Sequence, residues 1–440
     1  MDISRTVYRL VWTAGLTTAA AVLIWLVFGV AGAKDNGVSL LANTDQGRVE
    51  RVADARPDAT IEEVRAWPES TWTPWKENGF LTARHGDVIW LRVTLKNPGS
   101  EPLNGVVENT SYFSDVVEAW TEHPNGWRRM VSGTATSGRE RPLSARMAAF
   151  PVLVPAEGER VVYLRVSDAY VAHIQPAWWA KAEDFFRAKT NHLLMQCLCF
   201  GVLMALVFYN VVLWLRLRFE DTGYYVLTAA AGAACNFMAN GGFALMGISI
   251  RSPWHETLIA ASMGAGALLM TKFSRVFLGT RELMPRVDRW LRGWGIAMTV
   301  FALLTPAMLW MEKPDGIRVL TLAAVFTDVV CMIAAVSAWR RGARHARFFL
   351  MAFAFLVLAG MPMVVSVLRQ EVGAGVAMGL LIGRTLEMLL LSFAVADRFA
   401  QTQKRLVDET EQRRAIQEAY ADELEVEVRE RTRELVEANA

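Results

Sequence analysis

The sequence predicts three parts of different class: an all-β sandwich outside the cytoplasm, a seven-helix transmembrane bundle and a C-terminal coiled-coil helix. Three observations carry this. Hydrophobic residues make up 53% of the 440, and they gather before residue 34 and again after His192. Residues 34–190 show short alternating strands separated by turn residues. Residues 384–440 contain neither Gly nor Pro and are mostly strong helix formers. Charged residues are 20% of the chain, below the roughly 25% of an average soluble domain. The formal net charge of +2 gives no basic domain of the kind a nucleic-acid partner requires.

Residues 1–33 read as a signal peptide. Arg5 and Arg9 precede the apolar run Leu10–Val30, and Ala31-Gly32-Ala33 closes it with a small-residue cleavage site. The alternative is an uncleaved anchor, since about 20 apolar residues suffice to span a bilayer. Either way residues 34–190 are exported.

That exported segment reads as a periplasmic β-sandwich. In Val88–Lys96, Leu91, Val93 and Leu95 share one face, while Trp90, Arg92, Thr94 and Lys96 share the other. Arg160–Val166 repeats the pattern with Val162, Leu164 and Val166. Further strands are expected at Phe113–Thr121, Trp127–Val131, Met147–Val154 and Val171–Trp178. Turn chemistry at Asn97-Pro98-Gly99 and Pro124-Asn125-Gly126 separates them, and such short strands point to an antiparallel sandwich. The four cysteines, Cys197, Cys199, Cys235 and Cys331, all fall in later apolar segments, so no disulfide is expected here. His85, His123 and His173 lack metal-ligand spacing, and no catalytic constellation emerges. Neither a cofactor nor a metal is expected, and a binding module is the default.

Ligand-binding candidates are Trp90, Arg92, Trp120, Arg165 and His173. Aromatic faces form platforms for a ligand and an arginine fixes its carboxylate or hydroxyls. The bland alternatives are core tryptophans and solvated strand arginines. Trp178 and Trp179 are expected at the membrane surface, close to the first span.

Residues 191–398 hold seven apolar stretches: Leu193–Leu215, Tyr224–Ile248, Leu258–Leu278, Trp290–Met311, Val319–Trp339, Phe348–Val367 and Ala374–Ala396. With the sandwich outside, the inner loops carry Arg216 and Arg218, Arg281, Arg286 and Arg289, and Arg340, Arg341, Arg344 and Arg347. The exit adds Arg398, Lys404 and Arg405, whereas the outer loops hold Arg251, Lys313, Arg318 and Arg369. This bias of about three to one puts the C-terminus in the cytoplasm. Polar residues inside spans are costly and face the bundle interior, so Asn210, Asn240, Asp328, Arg384 and Glu387 are intramembrane relay candidates, with Asn236 beside them. Arg384 pairs with Glu387 three residues on, or with Asp328 in the fifth span. Gly241-Gly242 and Pro362 are expected to interrupt helices.

Residues 399–440 continue the last span as one cytoplasmic helix. Its apolar seam is Phe399, Leu406, Ile416 and Tyr420, then Leu424, Val428 and Leu435 in a register shifted by one residue. The pattern predicts a marginal parallel dimer with a register break near residues 420–424. A solvated single helix is the alternative. No phosphate-binding loop, cyclase signature or phosphoacceptor histidine motif follows.

These pieces resemble bacterial receptors with seven-transmembrane diverse intracellular signalling modules. The likeness covers residues 195–398: Gly201 with Tyr209-Asn210, Phe219-Glu220-Asp221 with Tyr224-Tyr225, and Asn240-Gly241. It continues through Phe273 with Phe277-Leu278, Pro285 with Asp288, the run RGARHARFF from Arg341, Gly383, Glu387 and LLLSFAVADR from Leu389 to Arg398. Arg384 departs from the pattern, where a small residue is usual. WLRVTLKNPG from Trp90 and VVYLRVS from Val161 are similar to the family's type-2 extracellular domain. That resemblance implies a jelly-roll sandwich likened to carbohydrate-binding modules. LEVEVRERTRELVEAN from Leu424 resembles the linkers that precede sensor histidine kinases and diguanylate cyclases.

The resemblance implies an inner-membrane receptor that senses a small molecule, a carbohydrate or a partner protein in the periplasm. A homodimeric coil would drive a histidine kinase, through further sequence or a separate chain and on to a response regulator. A diguanylate cyclase is the alternative output, and a transporter or enzyme with its site in the lipid-embedded bundle is the rival class. A dimeric scaffold with a closed sandwich is the third reading.

Overall fold

The computed structural model describes residues 39–40, 47–75, 88–111, 114–124, 126–167, 174–311, 315–343, 345–369 and 374–438. The expected signal peptide and His173 lie outside the described residues.

Among the described residues, ten strands form two antiparallel sheets. They are β1 (Ser39–Leu40), β2 (Gly47–Ala55), β3 (Thr73–Pro74), β4 (Val88–Asn97), β5 (Leu103–Asn109), β6 (Val116–His123), β7 (Gly126–Ser132), β8 (Ala148–Val154), β9 (Gly158–Ser167) and β10 (Pro176–Trp179). One sheet has the order β1-β10-β5-β8 and the other β3-β2-β4-β9-β6-β7. The alternation in β4 and β9 sets their facing: Leu91 pairs with Leu164 and Val93 with Val162. These residues share a buried core with Val107, Phe150 and Trp178 of the opposite sheet.

The other face of β4 is covered as well. Trp90 and Tyr163 pack under Ile61, Val64 and Trp72 in a second small core. Ile61 and Val64 belong to α1 (Ile61–Arg65), a helix too short for periodicity to reveal. Its capping box is visible in the sequence, with Thr60 and Glu63 each satisfying the other's backbone N–H.

Two expectations need correction here. Trp178 and Trp179 are each 1% exposed; Trp178 fills the sandwich core, and Trp179 packs against Phe185 at the start of the first long helix. The strand expected at Val171–Trp178 begins only at Pro176 among the described residues. Strands β2 and β5 went unrecognised because charged and polar residues interrupt their apolar positions, as in GRVERVADA.

The helical part comprises α2 (Ala182–Leu217), α3 (Glu220–Ala239), α4 (Gly242–Leu245), α5 (Trp254–Leu278), α6 (Thr280–Leu283), α7 (Pro285–Trp310), α8 (Asp315–Arg340), α9 (Ala346–Arg369) and α10 (Ala374–Ala438). Among the described residues, six helices are long and apolar enough to cross a membrane: α2, α5, α7, α8, α9 and α10. The expected second span ends early, because α3 stops at Ala239 and Gly241 turns the chain at φ +72°. Asn240 therefore caps a helix end. Pro362 does not break α9, which runs through it. The helix α10 is 65 residues long, about 98 Å at 1.5 Å per residue, and passes from the bundle into an exposed tail.

Candidate functional site

The outer face of the six-stranded sheet brings together most of the sequence-nominated ligand residues. Arg92 donates from Nε to Glu50 Oε2 at 2.8 Å and from Nη1 and Nη2 to the Glu69 carboxylate at 2.7 and 2.5 Å. Its guanidinium also lies 4.8 Å from the centre of the Trp72 ring. Arg165 donates to Glu118 Oε1 at 3.3 Å and to the Pro57 carbonyl at 2.9 Å. Neither is the solvated strand arginine that the alternation also allowed; each is engaged by carboxylates of its own domain. Arg92 holds the Glu69 carboxyl below its ordinary pKa through those hydrogen bonds. Trp90 is 1% exposed and belongs to the small core, so it presents no platform. Trp120 is half-buried beside it, with the Arg129 guanidinium 5.7 Å from its ring.

The domain meets the bundle through buried polar contacts that sequence reasoning missed. Glu108, fully buried, pairs with Lys189 of α2 at 2.7 Å and accepts from Trp179 Nε1 at 3.0 Å. Arg146 donates to the Gln196 side chain and to the Asn240 carbonyl, the latter at 3.3 Å. Gln196 Nε2 donates to the same carbonyl at 3.3 Å. Asp115 Oδ1 accepts from the Ser252 N–H at 3.2 Å. A Cβ added at Gly138 would stand 3.0 Å from the Gly247 Cα, so the two loops touch backbone to backbone. The visible signal was the break at Asn240-Gly241, which frees a carbonyl at the end of α3.

Inside the bundle, α10 is the hub. Arg384 Nη1 donates to Glu387 Oε2 at 2.6 Å, and the Glu387 side chain is fully buried. Asp328 of α8 lies near Arg384 without being its direct partner. Gly232 of α3 leaves the guanidinium its room, since a Cβ there would stand 3.2 Å from Nε. Asn210 of α2 donates to Ser392 Oγ at 3.0 Å, and Tyr225 of α3 donates to the Met388 carbonyl at 2.6 Å. One helix thus carries hydrogen bonds to two others, α2 and α3, within about two turns. At the end of the bundle Arg398 donates to the Phe277 carbonyl at 2.9 Å and pairs with Asp221 at 3.2 Å. It caps the C-terminus of α5, where positive charge is favoured.

Beyond Arg398 the described side chains of α10 lose their burial. Leu406, Ile416, Tyr420, Leu424, Val428 and Leu435 are all exposed, an apolar stripe on an otherwise charged helix. Phe399 is not part of that free stripe. Its ring lies 5.9 Å from Phe219 at the start of α3, because the helix is still beside the bundle there.

Two family models match the chain. One, described as 7TM diverse intracellular signalling, covers residues 192–398. The other, described as 7TMR-DISM extracellular 2, covers residues 46–180. No curated protein matches.

Proposed function

The chain belongs to the 7TM diverse intracellular signalling family, with that family's second type of extracellular domain, and from this premise we propose that it is a transmembrane signalling receptor. The two-sheet domain, of jelly-roll kind by resemblance, senses a ligand in the periplasm. With α3 counted, seven helices span the inner membrane and place the tail in the cytoplasm. The tail pairs with that of a second copy as a coiled coil and drives a histidine kinase; a diguanylate cyclase is the alternative output that such linkers serve.

The observation that carries this reading is the continuity of α10. The same unbroken helix holds the buried Arg384–Glu387 pair and, from Leu406 onward, the exposed apolar stripe. A helix has no internal joint, so a rotation or shift imposed at the ion pair reaches the tail undiminished until the coil absorbs it. Marginal coils suit this task, because a few kcal/mol are enough to bias their register.

The test is an insertion series. One to three residues inserted near Gln412 rotate everything downstream by about 100° each. Signalling output in cells is expected to flip or vanish with the added residues. Output that stays ligand-responsive and unaltered throughout the series would contradict the relay.

A further inference from the structure

We propose that the sensor domain and the bundle share a binding site for a small organic polyanion, carboxylate or phosphate, at their junction. This deepens the receptor reading and rests on it. A cavity of about 540 Å³ lies between the edge strand β7, the loop after it and the loop that joins α4 to α5. That volume falls within the range of small-molecule sites. Arg128 and Arg129 enter it from β7 and Arg251 from the bundle loop, against one carboxylate, Glu140.

The placement of the arginines is informative. Neighbouring residues of a strand point to opposite faces, yet Arg128 and Arg129 both line this cavity. The cavity therefore runs along the open edge of β7, whose backbone pairs with β6 on one side only. An edge strand offers unpaired N–H groups, and these add donors to the guanidinium forks. Arg129 shares its charge with Glu118 at 2.6 Å. Among the described residues, Arg128 and Arg251 have no carboxylate within ion-pair distance, and both are exposed. Convergent cations without counter-ions repel one another, and a bound anion removes that cost. Guanidinium forks match carboxylate and phosphate geometry. Val116, Met130 and Pro142 supply apolar wall, which suits an organic anion better than a bare inorganic ion.

The walls are built, not incidental. Arg141 is buried and donates to the carbonyls of Gly133, Thr136 and Ala145, fixing the loop that forms one side. The Asp115–Ser252 hydrogen bond ties the bundle loop carrying Arg251 to the start of β6. A ligand held by Arg128 and Arg251 together bridges the sandwich to the bundle, so occupancy acts directly on the N-terminal end of α5. Such a site lets binding bias the bundle without a change inside the sandwich.

The test uses the full chain in lipid nanodiscs and citrate as probe, followed by calorimetry. Saturable binding to one site per chain is expected in zwitterionic lipid. Arg128→Ala and Arg251→Ala are each expected to weaken it about tenfold, the scale of one lost charge-assisted contact. Lys96→Ala, which lies outside the cavity, is expected to leave it unchanged. Nanodiscs with phosphatidylglycerol distinguish the source of the anion: competition with citrate that Arg251→Ala relieves supports the site with a lipid headgroup as occupant. Absence of saturable citrate binding in zwitterionic lipid overturns the proposal, as does binding that both arginine variants retain. Binding is read directly, so the site fails or stands apart from the relay, which the tail insertions test.

Discussion

Arg384 and Glu387 stand one turn apart on α10 and close a 2.6 Å ion pair whose carboxylate is fully buried. Burying both charges is offset by their mutual attraction and the hydrogen bond between them. The pair is therefore a conditional feature of the bundle. It is stable as a unit and costly when one partner is lost.

Glu387→Leu leaves a buried guanidinium without its direct partner and is expected to cost roughly 3–5 kcal/mol. Glu387→Gln keeps shape and a hydrogen-bond acceptor and should cost less. Arg384→Met is expected to cost less than Glu387→Leu, since the carboxylates of Glu387 and Asp328 can take up protons whereas a buried guanidinium cannot lose its own. Unfolding of the three variants in detergent, compared with the parent chain, checks this order.

The approach of α9 to α10 is set by a glycine. A Cβ at Gly383 would stand 2.3 Å from the Cβ of Ala359, too close for any real contact. Gly383→Ala is expected to destabilise by about 1–3 kcal/mol, as overpacked sites do. Ala359→Gly in the same chain should return part of that loss, measured by the same unfolding assay. Independent, additive losses would mean that the two residues do not meet.

A pH effect follows from Glu69, whose carboxyl Arg92 holds below the ordinary value of 4.5. The folded pKa lies below the unfolded one, so this contact stabilises fully above the ordinary carboxylate range. It is lost as pH falls through the lower, folded value. Amide exchange in residues 69–75 is therefore expected to rise only at a pH below 4.5. Arg92→Ala should remove that pH-dependent rise. Exchange with the same pH profile in both proteins would refute the linkage.

Much of this architecture was legible in the sequence because it rests on periodicity. Leu91, Val93 and Leu95 face the core as their alternation requires, and the gap-free run from Arg384 onward is one helix. The i, i+3 spacing made Glu387 one of two candidate partners for Arg384, beside Asp328, and the structure shows the Glu387 contact. What escaped depends on partners distant in sequence. Arg92 looked exposed until Glu69, on a turn that folds back over β4, engaged it. Trp178 and Trp179 stood close to a span in sequence, but their strand carries Trp178 into the sandwich core and Trp179 against Phe185 of α2. The junction was invisible because Arg146, Gln196 and the Asn240 carbonyl meet from three separate elements. Charge patterning likewise marked Arg251 as a loop residue, and only the fold sets it opposite Arg128.

The central claim is that the intramembrane pair and the tail act through one helix. Ile416 lies 29 residues beyond Glu387 on α10, about 44 Å along the axis. Disulfide cross-linking between copies, with single cysteines placed along residues 403–435 in membranes, reads how the tails pair. In the parent chain, cross-links are expected to peak at Leu406, Ile416, Tyr420, Leu424, Val428 and Leu435. Glu387→Gln is expected to move those maxima by a residue or more. An identical cross-linking pattern in the two proteins, at equal membrane levels, would contradict the account.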